Sequence, residues 1–294
     1  MQVLRIGTRK SKLALTQATI VKELLFKHCN IQGELVGIQT TGDTKASSNL
    51  AEIGGKGLFT KELEEALRRG EIDIAVHSLK DMPAILHDDF MLASYLKRGD
   101  PRDILIANEE AHNINELKPG AIIGTSSPRR KEQLLKIRPD LNIVPLRGNV
   151  NTRLAKLDSK QIDATILAKA GLDRLMIDRG FAISQAQMLP AACQAIIAIE
   201  ILTTSPYRSI IENLNDNITE ICALAERSFL AAYNASCTTA IAVYAEVIED
   251  MLHIEAESFV NIYLRTKLKT NMLTKEGAID IGIKLAQELI GNNS

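Results

Sequence analysis

Short apolar runs alternate with amphipathic helices along the first third of the chain, and this alternation restricts the fold more than any other feature. Val3-Leu4-Arg5-Ile6-Gly7-Thr8 reads as a strand. A helix follows from about Lys12 to Lys27, with Leu13, Ala14, Gln17, Val21, Leu24 and Leu25 recurring at helical spacing. Glu34 to Thr40 reads as a second strand, Leu58 to Arg69 as a helix with Leu58, Leu63, Ala66 and Leu67 inward, and Asp73 to Ser78 as a third strand. The order β-α-β-α-β predicts a parallel, doubly wound sheet. In such a sheet ligands bind outside the carboxyl ends of the strands.

The third strand ends in Lys80-Asp81-Met82-Pro83. Pro83 fixes its own φ and biases Met82 away from helix, so the turn is stiff and Asp81 stands where chemistry is usually done. Before it, Thr41 to Gly57 forms a long loop ending Gly54-Gly55-Lys56-Gly57. It does not meet the phosphate-binding G-x-x-x-x-G-K-[ST] pattern and reads as a lid with a basic tip.

Met91 to Leu96 and Ile104 to Ala107 read as strands flanking the charged turn Lys97 to Asp103, which we take as a crossing to a second unit. Ala121 to Gly124 is its next strand, and Thr125-Ser126-Ser127-Pro128-Arg129-Arg130 opens a helix. Hydroxyls at the cap and proline in the first turn are start signals. Two arginines there oppose the helix dipole, so an anion is expected beside them. Asn142 to Leu146 leads into Arg147-Gly148-Asn149 and a helix carrying Arg153. Asp163 to Leu167 leads into a short helix ending at Arg174. Arg9, with Ser11 as a cap of the first helix, occupies the equivalent point in the first unit. Guanidinium groups suit bidentate carboxylate recognition, and their recurrence at strand ends predicts a ligand with several carboxylates or phosphates, held in a cleft.

Met188-Leu189-Pro190 starts a return crossing, and Ala195 to Ile201 reads as a buried strand rejoining the first unit. Asp216 to Ala232 is a helix with Ile218, Cys222, Ala225 and Phe229 on one face. Strands at Ala240 to Glu246, Leu252 to Ala256 and Val260 to Lys267 and a helix at Leu273 to Ile290 make a third, α+β unit. The expected domains are residues 1–98 with 194–213, residues 99–193, and residues 214–294.

The four cysteines, Cys29, Cys193, Cys222 and Cys237, show neither C-x-x-C nor zinc-ligand spacing, so no metal and no disulfide framework is expected. Cys222 reads as core, whereas Cys237 lies in the polar loop Tyr233 to Thr239, where a thiol is a nucleophile candidate. A net charge of −1 and the absence of Trp argue against nucleic acid as partner. No apolar span approaches the roughly 18 residues of a membrane helix, and no apolar segment follows Met1 to Lys10. The expected compartment is the cytoplasm.

Together these residues resemble the porphobilinogen deaminase (hydroxymethylbilane synthase) family. The matching pieces are Leu4 to Arg9, Gly54 to Phe59, Asp73 to Pro83, Gly124 to Arg130, Leu146 to Val150, Thr152 to Leu154 and Leu189 to Ala191, with Cys237 in the expected place. The resemblance implies two doubly wound domains related to periplasmic-binding-protein halves and a C-terminal α+β domain. It implies a dipyrromethane cofactor attached to Cys237 and head-to-tail condensation of four porphobilinogen molecules into hydroxymethylbilane, with release of ammonia. It makes Asp81 catalytic. It makes Lys80, Ser127, Arg129, Arg130 and Arg147 contacts of the cofactor, and Arg9, Ser11, Arg153, Arg174 and Gln194 contacts of the substrate. It also implies a monomer without nucleic-acid or membrane partner, working in tetrapyrrole and heme biosynthesis. The chain departs from the family where Gly-Gln-Gly stands as Cys193-Gln194-Ala195, and around Cys237, where Ala235-Ser236 precedes and Thr238-Thr239-Ala240 follows. The competing reading is a two-lobed anion-binding protein without turnover, which leaves Asp81 and the loop thiol unexplained.

Overall fold

The computed structural model describes residues 3–41, 60–108, 111–236 and 238–291. Apart from Thr41, the expected lid lies outside the described residues, as do the glycine-lysine motif at its end, Leu58 and Cys237.

The chain begins with β1 (Val3–Arg9), α1 (Lys12–Cys29) and β2 (Gln32–Ile38). Ser11 caps α1, its Oγ accepting the amide of Ala14 at 3.3 Å. At the other end Asn30 takes the left-handed conformation (φ 53) and donates its amide back to Phe26, so an asparagine does the work more often given to glycine. After the segment outside the described residues come α2 (Lys61–Arg68), β3 (Ile74–Ser78), a single 3-10 turn (Leu79–Asp81) and β4 (Phe90–Tyr95).

The chain then crosses to β5 (Asp103–Ala107), β6 (Ile122–Gly124), α3 (Pro128–Ile137), β7 (Asn142–Val144), α4 (Val150–Asp158), β8 (Ala164–Ala168), α5 (Lys169–Arg174) and β9 (Phe181–Ala182). It returns as β10 (Ile197–Leu202) and α6 (Arg208–Glu212). It ends with α7 (Asn217–Ala232), β11 (Ile241–Ile248), β12 (Met251–Ser258), β13 (Leu264–Thr270) and α8 (Lys275–Gly291).

Three sheets result. The first has the order β2-β1-β3-β10-β4, the second β7-β6-β8-β5-β9, and the third is the antiparallel β11-β12-β13. The fold is α/β with an α+β C-terminal unit. The first two sheets are mixed and not wholly parallel as expected. Strands β1, β2 and β3 are parallel, but β10 runs antiparallel to β3 and β4 because it enters from the far side on the return crossing. Likewise β5 runs antiparallel to β8. Each sheet has its own apolar core, such as Leu4, Val21 and Ile199 in the first, Ile123, Leu134 and Ile166 in the second, and Phe229, Val243 and Leu285 in the third.

Some expectations shift. The last strand begins at Leu264 and not at Val260, because Val260 and Asn261 turn the chain, with φ 63 at Asn261. Ile218 is 52% exposed, and the apolar inward stripe of α7 begins instead with Ile221 and Cys222, the latter buried as expected.

The two crossings lie side by side, with the Gly99 amide donating to the Ala195 carbonyl and Arg98 Nε to the Gln194 carbonyl. Cys193 and Ala195, where the family has glycine, both keep positive φ, 58 and 74. The backbone therefore retains a shape that glycine adopts most easily.

Candidate active-site cleft

The site starts from the turn after β3. Leu79 is buried and its amide donates to the Ile196 carbonyl on the return crossing, while the Met82 amide closes the turn on the Leu79 carbonyl. Met82 is extended (ψ 150), as the following proline requires. Lys80 and Asp81 are thus presented to solvent from a turn tied down at both ends.

Asp81 lines a small open pocket together with Arg9, Ser11, Gln17, Thr60 and Ser78. Gln17 Nε2 donates to Ser78 Oγ at 2.8 Å, which orders the floor. Ser11 caps α1 and also faces this pocket. The strand end and the helix start therefore converge on Asp81, as a doubly wound sheet dictates.

The second sheet supplies the opposite charge. Arg129 and Arg130, in the first turn of α3, are buried, and Ser127 Oγ caps that helix through the Arg130 amide. Their counter-ion is Asp103, the first residue of β5. Arg129 Nη2 lies 2.8 Å from Asp103 Oδ2, and Arg130 Nη2 lies 2.7 Å from Oδ1. The anion expected from the dipole argument is thus first of all a side chain of the protein itself. Burial alone would raise the Asp103 carboxyl, but the two guanidinium groups outweigh it and hold it well below the usual carboxylate range. Arg129 Nε and Arg130 Nε remain buried without an acceptor among the described residues.

Gln194 joins the two halves of the site. Its Nε2 donates to Asp103 Oδ1 at 2.9 Å and to the Pro101 carbonyl at 2.7 Å, while its Oε1 accepts from Lys80 Nζ at 3.4 Å. Lys80 keeps an open surface on the cleft, yet protein atoms crowd its amine. That crowding, with Arg129 and Arg130 nearby, pushes it down to about 8 against the pull of Asp81 and Asp103. Arg153 donates Nε to the Gly148 carbonyl at 2.9 Å. Its guanidinium is pushed down to about 10 by burial and by Arg130, and drawn the other way by Asp81. Asp81 from one sheet and Arg130 and Arg153 from the other therefore act on the same space.

Arg147 and Arg153 sit on either side of Gly148, whose φ of 109 makes the turn; a Cβ there would meet Thr152 Cγ2 at 2.8 Å. Arg174 donates to the Ala195 carbonyl at 2.6 Å, on the return crossing.

Sequence reasoning missed two acids, Asp103 and Glu226. Asp103 stood in a charged turn and looked solvated. The available signal was two arginines in one helix turn, which need a fixed counter-charge when buried. Glu226, wholly buried on α7, accepts from both Arg98 and the Cys193 amide, and nothing in the helical spacing marks it.

Residues 4–207 match the model "Porphobilinogen deaminase, dipyromethane cofactor binding domain", and residues 220–291 match "Porphobilinogen deaminase, C-terminal domain". A porphobilinogen deaminase of Clostridioides difficile is 45% identical over 253 residues, 85% of this chain and 84% of that one. One of Campylobacter hominis is 40% identical over 303 residues, 100% of this chain and 96% of that one. Among solved structures, a periplasmic substrate-binding protein of an ABC transporter from Coxiella burnetii is similar at a TM-score of 0.45 and 14% identity, covering 72% of this chain and 91% of that one. Since the family models together take in the cleft and the third sheet, and relatives match nearly end to end, this chain belongs to the porphobilinogen deaminase family.

Proposed function

We propose that the chain is a hydroxymethylbilane synthase, a transferase that joins four porphobilinogen molecules head to tail with release of four ammonia molecules. The observation that carries this reading is Asp81, an open carboxylate on an anchored turn, facing the cationic groups of a second sheet.

Each porphobilinogen carries two carboxylates and an aminomethyl group. Arg9, Ser11, Arg153 and Arg174 are assigned to bind and orient the incoming unit through its carboxylates, whereas Gln194, buried with both Nε2–H donors given to Asp103 and Pro101, is assigned to support that set from behind by holding Lys80. Loss of the amine leaves an electron-deficient methylene-pyrrole. Asp81 is assigned to stabilise that charge, to accept hydrogen bonds from pyrrole N–H groups, and to take the proton released when the new carbon–carbon bond restores the ring. Because the turn bearing Asp81 is hydrogen-bonded to the return crossing, the carboxylate needs no reorganisation as charge develops.

The residues present fit a dipyrromethane. Such a group carries several carboxylates, and the two orphaned Nε–H donors of Arg129 and Arg130 lie beside an excess of positive charge. Lys80, Ser127, Arg129, Arg130 and Arg147 are assigned to hold it and Cys237 to attach it. When bound, it supplies the free pyrrole carbon at which the chain grows.

The domain division at residues 98/99, 193/194 and 213/214 belongs to the same reading, with the cleft between the first two units. So does a cytoplasmic monomer without nucleic-acid or membrane partner. A net charge of −1 bears against a nucleic-acid partner, and no described helix is long and apolar enough to cross a membrane. Light scattering after gel filtration tests the monomer.

The deciding experiment incubates purified protein with porphobilinogen and follows ammonia and acid-oxidised porphyrin absorbance. Four ammonia molecules per tetrapyrrole are expected. Binding of porphobilinogen with neither product would instead leave the anion-binding reading.

A further inference from the structure

Asp103 is a wholly buried carboxylate whose two oxygens are both committed. Oδ2 takes Arg129, and Oδ1 takes Arg130 and Gln194. Gln194 in turn accepts from Lys80. We propose that Asp103 is a positioning residue: it holds Arg129 and Arg130 in place from the first residue of β5 and, through Gln194, fixes them relative to Lys80. The set of cations that meets ligand carboxylates is then formed before any ligand arrives. This rests on the function proposed above.

Three observations carry it. First, one carboxylate between two guanidinium groups leaves a positive surplus, so the pair stays attractive to a further anion. Second, Asp103 takes Nη2 of each guanidinium while Nη1 of Arg129 donates to Gln133 and the Leu189 carbonyl and Nη1 of Arg130 to the Ile166 carbonyl, so each guanidinium is held from two sides in one orientation. Third, Asp103 begins the strand directly after the outward crossing while Gln194 lies on the return crossing, so the contact spans the two connections on which the relative placement of the first two sheets depends. Binding is cheaper when the binding groups are already ordered.

The test compares Asp103→Asn, which keeps shape and removes charge, with Asp103→Glu, which keeps charge and shifts both guanidinium groups. Asp73→Asn serves as control. It removes a partly exposed ion pair, Arg5–Asp73 at 2.7 Å, away from the cleft. In folded protein, checked by circular dichroism, Asp103→Asn is expected to slow formation of the covalent adduct from porphobilinogen at least tenfold by intact mass. In adduct-loaded enzyme it should raise KM at least tenfold with kcat within threefold. Asp103→Glu, which keeps the buried charge balance and so tolerates folding better, should raise KM about threefold. Asp73→Asn should leave both near wild type. Wild-type KM and adduct rate in either folded Asp103 variant overturns the proposal, as does an equal KM rise in Asp73→Asn. If wild-type protein forms no adduct and no tetrapyrrole, the functional reading fails, and calorimetry with succinate decides the positioning role. Tenfold weaker succinate binding in the Asp103 variants supports it, and equal affinity overturns it.

Discussion

Arg98 and Glu226 form a buried two-pronged ion pair, with Nη1 2.6 Å from Oε1 and Nη2 3.3 Å from Oε2. Glu226 belongs to α7 and Arg98 to the outward crossing. The same carboxylate accepts the amides of Cys193, on the return crossing, and of Ala245, on β11. One side chain thus ties both crossings to the third sheet. Removing either partner strands a charge in the interior, which costs about 3–5 kcal/mol. Arg98→Leu and Glu226→Gln should each lower unfolding free energy by about that amount, and the double variant by clearly less than the sum. Urea denaturation checks this. Losses under about 1 kcal/mol for both single changes would show that the pair does not secure the crossings.

The crossings also store strain. Ala195 sits at φ 74, where a Cβ is disfavoured by about 1–2 kcal/mol. Glycine relieves that at an entropic cost of about 0.5–1 kcal/mol. Ala195→Gly should therefore stabilise by about 0.5–1 kcal/mol, read as a small rise in Tm. A lower Tm would mean that the Ala195 methyl group packs better than its backbone suffers.

Much of this was legible in the sequence. Alternating apolar runs located the sheets, and the strand ends located Asp81, Lys80 and the arginines, because strand polarity fixes where the cleft must lie. Even the glycine departures at Cys193 and Ala195 could be seen, although not that the backbone would keep positive φ there. Other features were illegible for physical reasons. The direction of β10 depends on which side the chain enters a sheet, not on its residues. Asp103 and Glu226 look like surface acids until their partners, 26 and 128 positions away, fold against them. Ile218 kept the helical period but fell at a helix end, where the core stops.

Asp81 is exposed and, among the described residues, makes no hydrogen bond that shapes the turn; the turn is built from backbone contacts of Leu79 and Met82. Asp81→Asn should leave Tm unchanged and cut kcat by about 10²–10⁴ or more, the usual range for lost acid–base help. Near-normal turnover would remove Asp81 from the chemistry.

Lys80 gives a pH dependence with a defined sign. Its amine is pushed down to about 8, chiefly by crowding, so it is charged below that value and loses its proton as pH rises through it. A neutral amine no longer attracts ligand carboxylates, so kcat/KM should fall as pH rises through about 8. Arginine stays charged throughout this range. Lys80→Arg should therefore flatten the alkaline limb while keeping much of the neutral-pH activity. An unchanged limb in that variant would assign the fall to another group.

The cofactor attachment separates two cysteines that the sequence places near the cleft. Cys193 is 2% exposed, and burial, reinforced by Glu226, pushes its thiol up. Reaction requires the thiolate, so this sulfur is a poor nucleophile. The Cys193 sulfur packs among Leu79, Tyr95 and Ile196, with the Glu226 carboxylate beside it. Cys237 follows Ser236 in a polar segment between α7 and β11, and the neighbouring side chains of Ser236 and Thr238 are exposed. Loss of the flanking glycines of the family alters the loop but keeps the sulfur. Cys193→Ser and Cys237→Ser should therefore differ in intact mass after incubation with porphobilinogen. The first should carry the dipyrromethane adduct and the second should lack it, with peptide mapping placing the wild-type adduct on Cys237. An adduct on Cys193, or an active wild-type protein with no adduct, would overturn the assignment.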